Sequence, residues 1–195
     1  AGLIGNRMPA ALEKLIEAQS QENPQRDPGA ANVLSLEVDA NQITGRYLQT
    51  RSGSRNEIQT SPVYDDLSVL LPADEMLLGE RFTQAQGVVV LRAHQQEDGR
   101  VKLEFVPEIH HGKAANRYTP LAGEGAWMLQ ASRQRETFAQ LQIDATLSTG
   151  EMLLLTCQPG RAGSLGHRFF SDTATGAEQQ KLLLVRLMQA RPLGQ

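Results

Sequence analysis

The sequence predicts a mainly β fold, an antiparallel sandwich or a strongly curved sheet, with one N-terminal helix. From residue 33 onward, apolar and polar residues alternate with the period of a half-buried strand. The longest apolar runs, VVVL (88–91) and MLLL (152–155), have the length of a strand rather than of a helix. Glycine, proline and small polar residues recur between these segments, as expected for turns.

The N-terminal segment PAALEKLIEAQS (9–20) predicts the single helix. Pro9 suits the first turn, and Leu12, Leu15 and Ile16 form one apolar stripe at helical spacing. The following segment QENPQRDPGAAN (21–32) contains two prolines and almost no large apolar residue, which is typical of a linker. The chain therefore divides into an N-terminal helix and linker (1–32) and a β domain (33–195).

The clearest local pattern is a β-hairpin whose turn is QEDG (96–99). Before the turn lies the apolar segment FTQAQGVVVLRAHQ (82–95), and RVKLEFV (100–106) follows it with Val101, Leu103 and Phe105 on one face. Gly99 favours the turn because glycine adopts positive φ at little cost.

The rest of the β domain is predicted as shorter strands joined by connections. HHGKAANRYTPLAGEGA (110–126) and the glycine-rich segment 158–180 are expected to be connections, and Leu165, Phe169 and Phe170 in the latter are expected to pack down onto the domain. An irregularity is expected near Ala139. Strands are predicted at residues 33–40, 42–50, 67–72, 82–95, 100–106, 127–134, 137–148, 152–157 and 181–192.

Charge and hydropathy exclude some classes of function. The 19 basic and 22 acidic residues give a net charge of −3, which argues against a nucleic-acid-binding protein. The sequence contains no run of 18 apolar residues, so membrane association is expected only through regions absent from this chain. The first ten residues lack the pattern of a signal peptide, although a removed export signal would leave no trace there.

The histidines are the candidate chemical groups. A metal site needs three or four ligands at about 2 Å, and His110, His111 and His167 are the candidate ligands of a metal- or small-ligand-binding enzyme. Against this hypothesis, adjacent residues of a strand point to opposite faces, and no HExxH or CxxC spacing is present. The single Cys157 is predicted to be a small buried apolar residue. No catalytic residue and no cofactor is predicted.

The second half of the chain carries a recurring order of motifs. QGVVVLRAHQQEDGRVKLEFVPEI (86–109) is a glycine-containing apolar strand, an acidic-Gly turn and a strand that ends near a Pro-Glu dipeptide. LQIDATLSTGEMLLLTC (141–157) is a hairpin with a glycine turn, and GSLGHRFF (163–170) and QKLLLVRL (180–187) follow. Over residues 82–190 this order resembles the C-terminal homology region of bacterial secretins, the multimeric gates of secretion systems.

The resemblance implies a secretin-like β domain with a non-enzymatic role. It implies a structural or assembly protein of the bacterial envelope, with the periplasm or cell envelope favoured over the cytoplasm. It also implies self-association or protein partners rather than a substrate. Thr156 and Cys157 stand where that family has a glycine pair, and no pore-lip hairpin is recognisable, so a working gate is not implied.

Overall fold

Antiparallel strands dominate the fold, which confirms the mainly β class. The computed structural model describes residues 2–4, 7–8, 10, 12–14, 45–73, 76–120, 127–172 and 178–190. The strands are β1 (Gly2–Ile4), β2 (Arg55–Ala73), β3 (Met76–Gln95), β4 (Val101–Pro120), β5 (Trp127–Thr137), β6 (Ile143–Leu147), β7 (Met152–Leu155), β8 (Ser171–Asp172), β9 (Gln179–Gln180) and β10 (Leu183–Arg186). A 3₁₀ turn (Ala139–Leu141) and helix α1 (Leu165–Phe170) complete the described elements.

Part of the predicted N-terminal half falls outside the described residues. Residues 10 and 12–14 are helical, as predicted, whereas the rest of the predicted helix and the predicted strand 33–40 lie outside the described part of the chain. Residues 45–50 have no regular secondary structure, so the end of the predicted strand 42–50 is wrong. These residues, GRYLQT, begin with a glycine and are exposed, and an exposed segment has no buried face to hold it extended.

Five strands form the largest sheet, in the order β2-β3-β4-β5 with β6 also paired to β4. β6 pairs with residues 101–105 of β4, and β5 pairs with residues 108–120, so the two strands share one edge of β4 in succession. A three-stranded sheet has β7 at its centre between β1 and β10, and β8 and β9 form a third, two-stranded sheet.

The hydrophobic core lies between the inner face of the large sheet, β7 and helix α1. Alternate residues of β3 and β4 face the core, including Val89, Leu91 and Phe105. Leu153 and Leu155 face them from β7, and α1 contributes side chains including Phe169. Burying an apolar side chain of this size stabilises the fold by about 1.5–3 kcal/mol, so this interface supplies the main driving force for folding.

Two long hairpins continue beyond the shared sheet as two arms, which touch at their bases where Phe82 meets His111. Pairing between β3 and β4 ends at Gln86–His110, but β2 and β3 stay paired as far as Ala73–Met76, and β4 and β5 as far as Pro120–Trp127. We call residues 63–85 the first arm and residues 111–137 the second arm. Each arm begins at a register shift, between Gln59 and Val63 on β2 and between His111 and Ala115 on β4. Gly112 (φ 74°) lies within the second shift, and its positive φ suits a β-bulge.

The predicted connection at 110–126 is therefore wrong over residues 110–120, because β4 runs on to Pro120, and residues 121–126 lie outside the described part of the chain. The segment contains few large apolar residues, and a strand without a buried face leaves no alternating hydrophobic pattern in the sequence. Backbone pairing with β5 holds this part of β4 extended instead. The predicted strand 67–72 is likewise only the end of the 19-residue strand β2.

Two shorter elements also differ from the prediction. The predicted strand 137–148 is interrupted, because β5 ends at Thr137, a 3₁₀ turn spans Ala139–Leu141 and β6 begins at Ile143. Buried Phe138 anchors this crossing, and its N–H donates to the carbonyl of Pro107 at 3.0 Å. The connection 158–180 contains α1, which was not predicted, although Leu165, Phe169 and Phe170 are buried there as expected.

Candidate functional site

The four histidines occupy four different environments. His110 and His111 point to opposite faces of β4, as their adjacency predicted: His110 Nε2 lies 3.1 Å from Glu108 Oε2, whereas the ring of His111 meets Phe82 edge-on at 5.0 Å. His167 Nε2, on α1, lies 2.7 Å from Glu178 Oε1. His94 Nε2 lies 3.3 Å from Glu104 Oε2. Cys157 is buried, as predicted.

Among the residues that the structure describes, no three His, Cys, Asp or Glu side chains form a group that could hold a metal ion. All four histidines belong to that part of the chain. The hypothesis of a metal site at His110, His111 and His167 therefore stays a prediction and gains no support from the geometry.

The ring of His167 lies between Glu178 and Ser171, in the order of the acid, imidazole and hydroxyl groups of a catalytic triad. Glu178 contacts Nε2 of the ring, and Ser171 Oγ lies 3.3 Å from Nδ1. However, Ser171 Oγ donates its proton to the carbonyl of His167 at 2.6 Å, so the hydroxyl has no proton left to give to the ring. The cluster lines a surface depression of about 270 Å³ beside Cys157. Its contacts hold the end of α1 to residue 178 and do not prepare a nucleophile.

A second cluster lies on the outer face of the large sheet, and we call it the outer-face cluster: Arg55, Glu57, Glu108 and His110. Arg55 donates from Nη1 to Glu108 Oε1 at 2.8 Å and from Nη2 to Glu108 Oε2 at 2.6 Å. The same guanidinium bonds Glu57 Oε1 through Nε and Nη2, at 3.1 and 2.9 Å. Glu108 is only 4% exposed, so this is a bidentate ion pair with a buried carboxylate.

The side chain of Arg55 crosses the sheet to reach Glu108. Arg55 lies on β2 and Glu108 on β4, with β3 between them. On this face the register places Val90 beside Glu57, and Val88 beside Glu108. The valines are 0% and 1% exposed, although they point away from the core. Short side chains on β3 therefore leave room for the guanidinium to pass, and its stem covers them.

The environment sets the charge of the pair. Burial raises the pKa of Glu108, but hydrogen bonds from Arg55 and then His110 outweigh it and lower the pKa to about 2. The hydrogen bonds that Arg55 donates to Glu108 in turn raise the pKa of Arg55, against the desolvation of the guanidinium. The pair is therefore fully ionised at neutral pH.

We expect protonation of Glu108 in acid to lower the free energy of unfolding of the protein. Because its folded pKa, about 2, lies below the usual 4.5, its contribution is fully present above pH 4.5 and is lost as the pH falls toward 2. The difference corresponds to about 3 kcal/mol of unfolding free energy. Urea unfolding of the protein and of Glu108→Gln at pH 6 and pH 2.5 measures it: the advantage of the unaltered protein should shrink by about that amount. The same pH dependence in both proteins would contradict the assignment.

Sequence reasoning did not find the outer-face cluster. Its one local signal lies in LEFVPEI (103–109), where the face opposite to Phe105 carries Val106 and then Glu108. An apolar residue on a face expected to meet solvent indicates that something covers it. Arg55, which pairs with Glu108 on this face, is 53 positions away from Glu108 and becomes identifiable only when the strand order is known.

No helix among the described residues is long and apolar enough to cross a membrane. No protein-family model, curated protein or solved structure matches the chain.

Proposed function

We propose that this protein is a non-enzymatic assembly protein that self-associates through its hairpin arms, as a secretin-like component of a bacterial envelope. The observation that carries the proposal is the apolar end of the first arm. Four large apolar side chains there are exposed to solvent: Leu70 (44%), Met76 (70%), Leu77 (67%) and Leu78 (55%).

These side chains cover both faces of the arm. The register pairs Leu70 with Gly79 and Pro72 with Leu77, which places Leu70 and Leu77 on one face and Met76 and Leu78 on the other. All six residues from Met76 to Arg81 are exposed. Removing apolar surface from water is favourable by about 25 cal/mol per Å², so burying these side chains against another protein stabilises the contact.

Unpaired strand edges accompany the apolar surface. β3 is paired with β4 only over residues 86–95, so among the described strands nothing pairs with this edge of β3 along the first arm. β5 is likewise the last strand of its sheet, with β4 on one side only. Free backbone donors and acceptors along a strand edge recruit another strand, which supports assembly by strand pairing.

The geometry of the polar clusters favours binding over chemistry. The hydroxyl proton of Ser171 is committed to a carbonyl, and Arg55 and Glu108 satisfy each other in a bidentate ion pair. Neither cluster offers a free acid, base or nucleophile in the way that a catalytic site requires. The sequence resemblance to secretins supports the envelope context of the proposal.

Self-association should depend on the first arm. Leu77→Ser removes an apolar side chain worth about 1.5–3 kcal/mol when buried, so we expect association to weaken about tenfold or more. Sedimentation velocity over a hundredfold range of concentration measures the change. Leu182→Ser and Met188→Ser are matched controls, because these residues are 47% and 54% exposed but lie outside both arms. A protein that stays monomeric at the highest concentration, or equal effects of all three variants, would overturn the proposal.

A further inference from the structure

We infer that assembly is head-to-tail, with the acidic first arm of one copy paired with the basic second arm of the next. The inference rests on the proposed self-association and adds which surfaces meet. The two arms differ in net charge, in which strand has the free edge and in position on the sheet. Their surfaces are therefore not equivalent.

The arms carry opposite net charge. Residues 63–85 contain five acidic residues and one arginine, which gives a net charge of −4. Residues 111–137 contain four basic and two acidic residues, which gives +2 without the histidine. Two first arms repel each other, whereas a first and a second arm attract, so contact between unlike arms is favoured.

Individual described residues show the same contrast. In the first arm Arg81 is paired with Asp66, which leaves Asp65 and Glu80 as exposed acids. In the second arm Lys113 is exposed. Neither Glu80 nor Lys113 forms an ion pair with another described residue. They are therefore available for an intermolecular pair.

The outer edge of β2 is closed over part of the first arm. The N–H of Leu70 donates to the carbonyl of Gly163 at 2.9 Å, and Arg168 Nε donates to the carbonyl of Ser68 at 3.1 Å. Both hydrogen bonds point away from β3. Pro72 lies two residues beyond Leu70 and therefore faces the same edge, where proline has no N–H to donate. These contacts, together with the proline, prevent another strand from pairing with this part of the outer edge of β2.

Among the described strands, none pairs with the other edge of β3 from Met76 to Ala85. Arg133 Nη1 of the second arm contacts this strand at the Gln84 carbonyl, at 3.4 Å, which leaves the part nearer the end of the arm for pairing. Because Leu70 directs its N–H away from β3, its partner Gly79 directs its own backbone groups away from β2. Leu77 and Arg81, two residues to either side of Gly79, face the same way. A contact between this edge and the outer edge of β5 in another copy joins unlike surfaces. Repeated, such a contact closes into a ring or extends into a filament.

A charge-swap experiment tests the arrangement. Glu80→Lys and Lys113→Glu are prepared as separate proteins, and their mass is followed by sedimentation velocity, alone and mixed in equal amounts at low salt. Each reversal turns an attraction between exposed charges into a repulsion, so we expect each variant alone to associate about fivefold more weakly.

The mixture should associate at least as well as the unaltered protein. Where the first arm of Glu80→Lys meets the second arm of Lys113→Glu, both charges are reversed together and still attract each other. At the next contact the original Glu80 meets the original Lys113, so both contacts in an alternating assembly are attractive. Salt at about 0.5 M should reduce all these differences, because it screens exposed charges.

The outcomes separate the two proposals. If the unaltered protein does not associate, the proposed function fails. If it associates but the mixture is no better than either variant alone, or if Lys113→Glu associates like the unaltered protein, the head-to-tail arrangement is overturned while self-association stands. Circular dichroism of each variant confirms that the fold is unchanged.

Discussion

Replacing Arg55 by methionine is expected to lower the free energy of unfolding by about 3 kcal/mol at pH 7, because it leaves the buried Glu108 carboxylate without its partner. Methionine keeps an apolar stem of similar length over Val88 and Val90, so the effect reports the lost charge pairing rather than lost cover. Urea unfolding followed by circular dichroism measures the change.

Two controls isolate the buried pair. Arg81→Met breaks the ion pair with Asp66, but the two side chains are 73% and 41% exposed, so solvent screens the pair and its removal should change stability little. The double variant Arg55→Met with Glu108→Met replaces both charges by apolar groups and should recover most of the loss. A double variant no more stable than Arg55→Met alone would contradict the account of an unpaired buried charge.

The outer-face cluster also shows how far the sequence can lead. The hairpin around QEDG was predicted correctly because Val101, Leu103 and Phe105 have one buried face, and burial on one face is what produces a period of two. Val106 and Glu108, on the other face, are nearly as buried, but the partner of Glu108 comes from β2, and the sequence does not reveal which strand lies beside which. Strand order is set by long-range packing rather than by local pattern.

The second arm was missed for the opposite reason. Residues 110–120 form a strand with little apolar content, so backbone pairing with β5 determines their conformation and leaves no hydrophobic trace. Helix α1 is only six residues long, which is less than two turns and too short for a periodic pattern. Its apolar residues nevertheless predicted that the connection packs down, because large apolar side chains in a glycine-rich segment are buried when they can be.

The contact between Gly87 and Phe169 should dominate the stability of the junction between β3 and α1. A Cβ atom at Gly87 would lie 2.8 Å from Phe169 Cδ1, and Phe169 is 2% exposed, so neither side has room to move. An exchange of glycine for alanine in a strand ordinarily stabilises by about 0.5–1 kcal/mol, but here we expect a loss of about 2 kcal/mol from overpacking.

Gly79→Ala is the matched control. Gly79 lies on the same strand, but the nearest atom to a Cβ there is Leu70 Cδ2 at 4.0 Å, an ordinary contact. This substitution should therefore be neutral or slightly stabilising, so the two alanine variants should change stability in opposite directions in urea unfolding.

A double variant tests whether the ring itself is the obstacle. Phe169→Ala alone should cost about 3–5 kcal/mol through the cavity that it leaves, because the ring is among the largest fully buried side chains. In the Phe169→Ala background, Gly87→Ala should cost nothing or stabilise, since the added methyl group enters the vacated space. The coupling between the two sites should then be about 2 kcal/mol. Additive losses would show that alanine at position 87 is disfavoured by the strand and not by the aromatic ring packed against it.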